Sequence, residues 1–234
     1  MSDHAIDIEE LIFRWPRQTL PCLDIPRFTV QRGERVFLQG PSGSGKSTLL
    51  NLLGGVLRPE KGRVQFLDED LAEASPQRRD RLRADHIGFI FQQFNLLPWM
   101  SALDNVSLPC TFSRRRMQRA IHSHSLRAEA ERLLRHLELE TVDWKRPARA
   151  LSVGQQQRVA AARALIGQPE LIVADEPTSA LDTDRQDAFL DLLLRETSAT
   201  GSTLVFVSHD ARLARHFDRC VTMAEIARNA APGA

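Results

Sequence analysis

Nine consecutive residues have the types and spacing needed to hold a phosphate chain: Gly40, Pro41, Ser42, Gly43, Ser44, Gly45, Lys46, Ser47 and Thr48. They fit the pattern of Gly, any four residues, Gly-Lys-Ser. Glycines let a backbone turn its N–H groups inward, the lysine can reach the β- and γ-phosphates, and the serine hydroxyl can ligate Mg²⁺. A Gly- and Ser-rich turn before a helix is the alternative, but the strand-like run before this loop favours a nucleoside triphosphate site.

Short apolar runs indicate the sheet that would position this loop. Residues 34–39 precede the loop, and residues 87–91, 171–174 and 203–207 form similar runs. They do not alternate with polar residues, which is typical of strands buried on both faces of a parallel sheet. Residues 6–13 and 28–30 instead resemble strands with one solvated side. The pattern predicts an α/β fold.

The segment from about 101 to 150 changes to a helical pattern. Apolar residues recur at helical spacing among Arg and Glu, at Leu126, Ala130, Leu133, Leu134 and Leu137. We interpret this segment as a helical subdomain inserted into the α/β core. The basic run Ser113–Arg116 within it is predicted to be a solvated loop, with contact to anionic lipid or to a partner as the alternative.

The amino-acid composition limits the kinds of partner and the cellular location that we expect for this chain. Lys and Arg number 31 against 30 Asp and Glu, so no charge excess argues for a nucleic-acid partner. Three separated cysteines are expected to be reduced thiols in a cytoplasmic protein. The first ten residues lack the basic and apolar regions of a secretory signal, and no run approaches the ~18 apolar residues of a spanning helix. Any membrane role is therefore expected to act through a separate partner.

Two carboxylates, Asp175 and Glu176, follow the apolar run 171–174. At the carboxyl end of a strand beside the phosphate loop, Asp175 could hold the Mg²⁺ shell and Glu176 could orient or deprotonate a water. An acidic pair is also common at ordinary strand ends. Its occurrence after a phosphate loop in the same chain favours the catalytic interpretation.

Residues 151–158 open another predicted helix, in which Ser152 and Gln155 satisfy the capping-box pattern. Taken alone, this is simply a well-capped helix. The sequence Leu-Ser-x-Gly-Gln at 151–155 nevertheless resembles the signature of ABC-type ATPases. The resemblance implies that Ser152, Gly154 and Gln155 of one chain face the γ-phosphate held by a second copy, where a helix N-terminus favours an anion.

The remaining motifs of this family occur in the family's order. Gln92 matches the loop that contacts Mg²⁺ and senses the membrane partner, and His209 matches the switch histidine that contacts the γ-phosphate and the attacking water. Ser179 and Asp182 bound the loop that crosses the dimer interface. Trp15 resembles the aromatic residue that stacks on adenine. Without the resemblance, a histidine after a strand is more often structural, and Trp15 would be an exposed strand-end aromatic.

The resemblance implies a P-loop NTPase (RecA-like) core with a mainly parallel sheet, an N-terminal antiparallel β subdomain and a helical subdomain at about 93–165. A single domain is expected over 1–226, with a disordered tail at 227–234. The implied activity is ATP hydrolysis, with Lys46, Glu176 and His209 catalytic and with Mg²⁺ held by Ser47, Gln92 and Asp175. Two copies would enclose two ATP and drive an integral membrane permease, so that the chain lies on the inner face of the cell membrane.

Residues 92–98 and 104–109 further resemble the ATPases of lipoprotein-release and macrolide-efflux systems, which favours export or mechanotransmission. A regulatory clamp that moves nothing across the membrane and a soluble DNA-repair or translation ATPase are the alternatives. Two departures stand out. Val153 occupies a position where the signature usually has Gly, and it would be strained if its φ were positive. Residues 224–226 replace the family's Asp-Gly hairpin, so that hairpin is expected to be shortened or missing.

Overall fold

The computed structural model describes residues 3–122, 125–179 and 181–228. Nine strands are described: β1 His4–Phe13, β2 Leu23–Gln31, β3 Arg35–Gln39, β4 Lys61–Phe66, β5 Glu69–Asp70, β6 Ile87–Ile90, β7 Leu171–Asp175, β8 Thr203–Val207 and β9 Arg219–Thr222. Eight α-helices are described: α1 Lys46–Leu53, α2 Pro76–His86, α3 Ala102–Phe112, α4 Arg114–Ala120, α5 Leu126–His136, α6 Val153–Leu165, α7 Thr183–Thr200 and α8 Met223–Ile226. These elements divide between two compact units.

The first unit comprises Met1–Arg83 and Thr203–Ala234. It contains an antiparallel sheet of strand order β2-β1-β4-β5 and a parallel group in which β3 lies between β8 and β9. Strands β3 and β8 are short and have buried apolar centres, and every residue of β8 is buried. Their carboxyl ends share one edge, so the loops that follow β3 and β8 emerge side by side.

An aromatic cluster fixes the strand that leads into the phosphate loop. The ring of Phe37 on β3 lies 6.2 Å from that of Phe206 on β8, and Phe217 packs on both at 5.3 and 5.2 Å. Phe37 and Phe206 are fully buried. Such pairs each stabilise a core by about 0.5–1.5 kcal/mol beyond their area burial, so they hold β3 and β8 in register.

The second unit comprises Ala84–Ser202. Strands β6 and β7 pair in parallel, with Ile90 opposite Ala174. Helix α5 confirms the helical spacing found in the sequence, because Ala130, Leu133 and Leu134 are buried along one face. Its N-terminus is capped by Ser125, whose hydroxyl accepts a hydrogen bond from the backbone N–H of Ala128.

Arg114 and Arg115 are exposed as predicted, but the prediction of a loop at Ser113–Arg116 is wrong. Ser113 is the N-cap of helix α4, and Arg116 is 3% exposed. The Arg116 guanidinium donates to the carbonyl oxygens of Ala164 at 2.7 Å and Ile166 at 2.6 Å, at the C-terminal end of α6. These carbonyls have no helical N–H partner of their own, which is why a buried cation is stable there.

Within the part of the chain that the structure describes, helix α8 follows β9 at the position where the family's C-terminal hairpin is expected to be shortened or missing. Thr222 and Glu225 form a capping box that starts this helix directly after β9. The predicted α/β P-loop fold with an antiparallel sheet is confirmed. The limits 93–165 for the helical subdomain and the single domain over 1–226 stay predictions, and positions 229–234 of the predicted disordered tail lie outside the described residues.

Candidate nucleotide site

The loop after β3 has the backbone of an anion site. Gly43 and Gly45 are left-handed, with φ of 77° and 92°, so they turn the chain immediately before α1 begins at Lys46. A Cβ on Gly45 would lie 2.6 Å from Cδ2 of Leu23, so the position requires glycine for space as well as conformation. Gly45 has no side chain with which to cap α1, which leaves the helix N-terminus suited to an anion.

Two side chains of the loop fit a phosphate chain. The Lys46 ammonium folds back over the loop and donates to the carbonyl oxygens of Gly40 at 2.7 Å and Pro41 at 2.9 Å. The Ser44 hydroxyl is buried and has no hydrogen-bond partner among the described residues. Since buried polar atoms nearly always have partners, this orphan oxygen is consistent with a ligand that supplies one. Ser47 is exposed at the same turn.

The predicted switch histidine lies at the same edge of the first unit. Leu38 is opposite Val207 in the parallel ladder, so Gly40 and His209, each two residues further on, emerge at the same level. His209 is exposed, and the next residue, Asp210, accepts a hydrogen bond from the N–H of Arg212 and caps the 3-10 turn Ala211–His216. The register therefore brings the predicted histidine to the edge that carries the phosphate loop.

Trp15 lies beyond the end of β1 and is 38% exposed. Its ring packs edge-on against Phe13, with centroids 5.1 Å apart at 88°. Phe13 pairs with Leu23, the residue that contacts Gly45. Trp15 therefore lies at the phosphate-loop end of this unit with part of its ring surface open, as base stacking requires.

The three remaining nucleotide-site residues emerge together from the second unit. Ile90 pairs with Ala174, so Gln92 and the pair Asp175–Glu176 follow neighbouring parallel strands at one edge. Glu176 has a φ of 47°, a left-handed conformation that costs a non-glycine residue on the order of 1–3 kcal/mol. No feature of the sequence indicated this strain, since it depends on how the strand continues into the following turn.

The signature segment forms the predicted cap. The Ser152 hydroxyl accepts from the N–H of Gln155 at 3.3 Å, and the Ser152 N–H donates to Oε1 of Gln155 at 2.8 Å. The other end of that side chain, Nε2, donates to buried Asp143 at 2.5 Å. Gln155 is therefore held by its own chain, through a partner that the sequence analysis missed. Val153 is the first residue of right-handed α6, so the strain of a positive φ does not arise.

The segment predicted to cross a dimer interface leads into α7. Ser179 is exposed, and Asp182 is the N-cap of α7, where its carboxylate accepts from the N–H of Arg185 at 3.1 Å. The side chain of Gln186 donates to the carbonyls of Thr178 and Leu181 and closes the turn. Ala180 lies outside the described residues.

The phosphate loop at the edge of the first unit and the acidic pair at the edge of the second are the features of a P-loop nucleotide-binding protein. Comparisons with known proteins identify its family. A family model described as ABC transporter matches residues 23–179. The ABC transporter ATP-binding protein MJ0796 of Methanocaldococcus jannaschii is 40% identical over 209 residues, covering 89% of this chain and 88% of that protein. YbbA, an ABC transporter ATP-binding protein of Escherichia coli, is 43% identical over 194 residues, covering 83% and 82%.

Two further similarities concern a longer relative and a solved dimer. The macrolide export ATP-binding/permease protein MacB of Escherichia coli is 40% identical over 208 residues, which is 89% of this chain but 31% of that protein. A dimeric structure of MJ0796 in a post-hydrolysis state with ADP and Pi matches with a TM-score of 0.82 at 35% identity, covering 93% of each chain. The chain belongs to the ABC transporter family. Within it, the chain is a nucleotide-binding subunit, and two solved structures similar to it, both of MJ0796, are dimeric.

The described helices include none that is both long and apolar enough to cross a membrane.

Proposed function

We propose that this subunit hydrolyses ATP as a homodimer and drives a separate integral membrane permease of the export or mechanotransmission type. One observation carries the proposal. The predicted catalytic and Mg²⁺-binding groups lie at or after the carboxyl ends of parallel strands, where ligands of α/β sheets bind. They are Lys46, Ser47 and His209 in one unit, and Gln92, Asp175 and Glu176 in the other.

The donor set fits Mg²⁺. Ser47 offers a hydroxyl, Gln92 an amide oxygen and Asp175 a carboxylate, and hard oxygens of this kind are what Mg²⁺ prefers. We propose that these three side chains hold the ion. When bound, Mg²⁺ neutralises charge on the β- and γ-phosphates.

The chain's own residues supply the rest of the chemistry. In this proposal the loop N–H groups and Lys46 bind the phosphates, and Trp15 stacks on adenine. Glu176 orients the attacking water and accepts its proton, while His209 orients the γ-phosphate. The left-handed backbone of Glu176 supports a functional role, because such conformations cluster at active sites.

The glycine at position 154 is evidence for the proposed dimer. It lies in the first turn of α6, where glycine is less favourable than alanine by about 0.5–1 kcal/mol. Among the described residues, a Cβ at this position would meet only Leu181, at 3.9 Å, so packing against that part of the chain does not require glycine. Close approach by another molecule would require glycine here. We propose that this molecule is ATP held on the phosphate loop of a second copy, with Ser152 and the N-terminus of α6 facing the γ-phosphate and with Ser179 and Asp182 at the interface.

The permease is supported by the likeness to MacB, whose name joins an ATP-binding and a permease function in one chain. Trp99, seven residues after Gln92, is 69% exposed and offers an apolar contact for such a partner. On this proposal the subunit lies on the inner face of the cell membrane through its permease.

Substitution of the proposed base tests the reaction. Glu176→Gln should leave ATP binding intact and lower steady-state hydrolysis by about 10²–10⁴-fold, the range typical of general-base loss. The control is Glu138→Gln, the same chemical change at another left-handed residue of the same unit, and it should leave hydrolysis unchanged. Normal turnover in Glu176→Gln would reject Glu176 as the base.

A further inference from the structure

Helix α6 does more than present the signature, because it also holds the loop that follows Gln92. The Arg163 guanidinium donates to two consecutive carbonyl oxygens of that loop, those of Phe94 at 2.5 Å and Asn95 at 2.6 Å. Phe94 and Asn95 are left-handed, with φ of 58° and 50°. Two successive non-glycine residues keep such a conformation only when their surroundings fix it, and Arg163 bonds the carbonyls of both.

A second contact joins α6 to the turn that carries Glu176. The Gln157 side chain is 1% exposed, and its Nε2 donates to the carbonyl oxygen of Pro177 at 2.8 Å. Pro177 immediately follows the left-handed Glu176. Because a buried amide and carbonyl cannot exchange their bond for water, this contact fixes where the turn leaves β7.

We propose that Arg163 and Gln157 are positioning residues through which α6 arranges the Gln92 loop and the Glu176 turn of its own protomer. This inference rests on the proposed function. The N-terminus of α6 closes on the ATP of the partner, while two side chains of the same helix set the catalytic groups for its own ATP. Closure at one site is therefore coupled to geometry at the other through a single rigid helix.

The helix provides its own control. Arg158 makes the same kind of bond, from its guanidinium to the carbonyl oxygen of Glu138 at 2.7 Å, and Glu138 is likewise left-handed with a φ of 57°. This turn follows α5 and carries none of the proposed nucleotide-site residues. Arg158→Met thus removes one guanidinium–carbonyl bond from the same helix, together with a 3.8 Å ion pair to the Glu138 carboxylate, and separates a positioning role from a general contribution to the fold.

The experiment measures kcat and KM for ATP in Arg163→Met, Gln157→Leu and Arg158→Met. The first two should lose about tenfold or more in kcat, with KM for ATP changed less than about twofold, because the phosphate loop keeps its contacts. Arg158→Met should match the wild type. Arg163→Lys keeps a cation that can reach one carbonyl, so it should recover part of the lost kcat.

Hydrogen–deuterium exchange supplies a readout that does not depend on turnover. Exchange should accelerate at residues 91–97 in Arg163→Met, at 176–179 in Gln157→Leu and near 138 in Arg158→Met. The inference is overturned if Arg163→Met and Gln157→Leu match Arg158→Met in kcat. It is also overturned if both lose ATP binding and Arg163→Lys does no better, which would indicate a folding role. A wild-type protein that fails to hydrolyse ATP would instead refute the proposed function, and the exchange pattern would still test the contacts.

Discussion

Glu170 is the acidic centre of a charged cluster at the amino end of β7, opposite the edge that carries Asp175. One carboxylate oxygen bonds His86 Nδ1 at 2.9 Å, and the other accepts from Arg115 at 2.5 Å and Arg119 at 2.7 Å. Burial acts to raise the pKa of Glu170. Hydrogen bonds from His86 and Arg115, with the charges of His86 and Arg119, outweigh it and lower the pKa to about 2. Glu170→Gln keeps the shape of this side chain and removes its charge.

The pKa shift of Glu170 determines how much stability the Glu170→Gln substitution should remove. A fall from 4.5 to about 2 corresponds to roughly 3 kcal/mol of stability, at 1.36 kcal/mol for each pKa unit. Because the folded-state pKa is depressed, this stability is fully present above the unfolded pKa of 4.5 and is lost as the pH falls through about 2. The free energy of unfolding of Glu170→Gln should therefore be lower than that of the wild type by about 2–3 kcal/mol at pH 5–7. Near pH 3 this difference should shrink to roughly half that size.

Urea unfolding at several pH values measures this difference in unfolding free energy, from the shift in the urea midpoint when both proteins share the same m-value. The matched control is Glu131→Gln in the same unit, whose carboxylate pairs at 2.8 Å with Arg127, an exposed arginine one turn earlier on α5. That change should cost no more than about 0.5 kcal/mol. Since Glu170 is remote along β7 from the catalytic edge, kcat should not change. Equal destabilisation in the two variants at pH 7, or an undiminished difference in unfolding free energy below pH 3, would refute the reasoning.

Two further substitutions test separate parts of the account. Gly154→Ala should raise the free energy of unfolding of the isolated chain by about 0.5–1 kcal/mol in urea, because Ala is the better helix former. The same substitution should weaken ATP-dependent dimerisation, measured by light scattering. A destabilised chain that dimerises normally would contradict both expectations. Arg116→Met should lower the free energy of unfolding by about 1–3 kcal/mol, because the buried carbonyls of Ala164 and Ile166 lose their donor, whereas exposed Arg114→Met should stay within about 0.5 kcal/mol. Equal effects of the two arginine substitutions would rule out the buried contact.

Local patterns predicted the elements whose physics is local. The glycine spacing of the phosphate loop, the capping box at Ser152 and the helical spacing of α5 all depend on residues a few positions apart, and each is present in the structure. The apolar runs also predicted β3, β7 and β8 to within a residue or two at their ends.

Features that depend on distant residues could not be predicted in this way. Arg116 follows two other arginines and comes three residues before a fourth, a charge run typical of a solvated surface. The carbonyls at the end of α6 make its burial favourable. The left-handed Glu176 and the capture of Gln155 by Asp143 likewise arise from contacts between elements. Tertiary partners, rather than neighbours in sequence, decide these positions.

The central claim is that each reaction centre combines the phosphate loop of one chain with the signature of another. Mixing two inactive variants tests it most directly. Lys46→Ala disables the phosphate loop but keeps the signature, and Gly154→Val does the reverse. In a mixed dimer both defects fall on one site and the other site is intact. Random pairing should then restore about a quarter of wild-type hydrolysis in an equal mixture. A mixture no more active than the sum of its two components would contradict the claim.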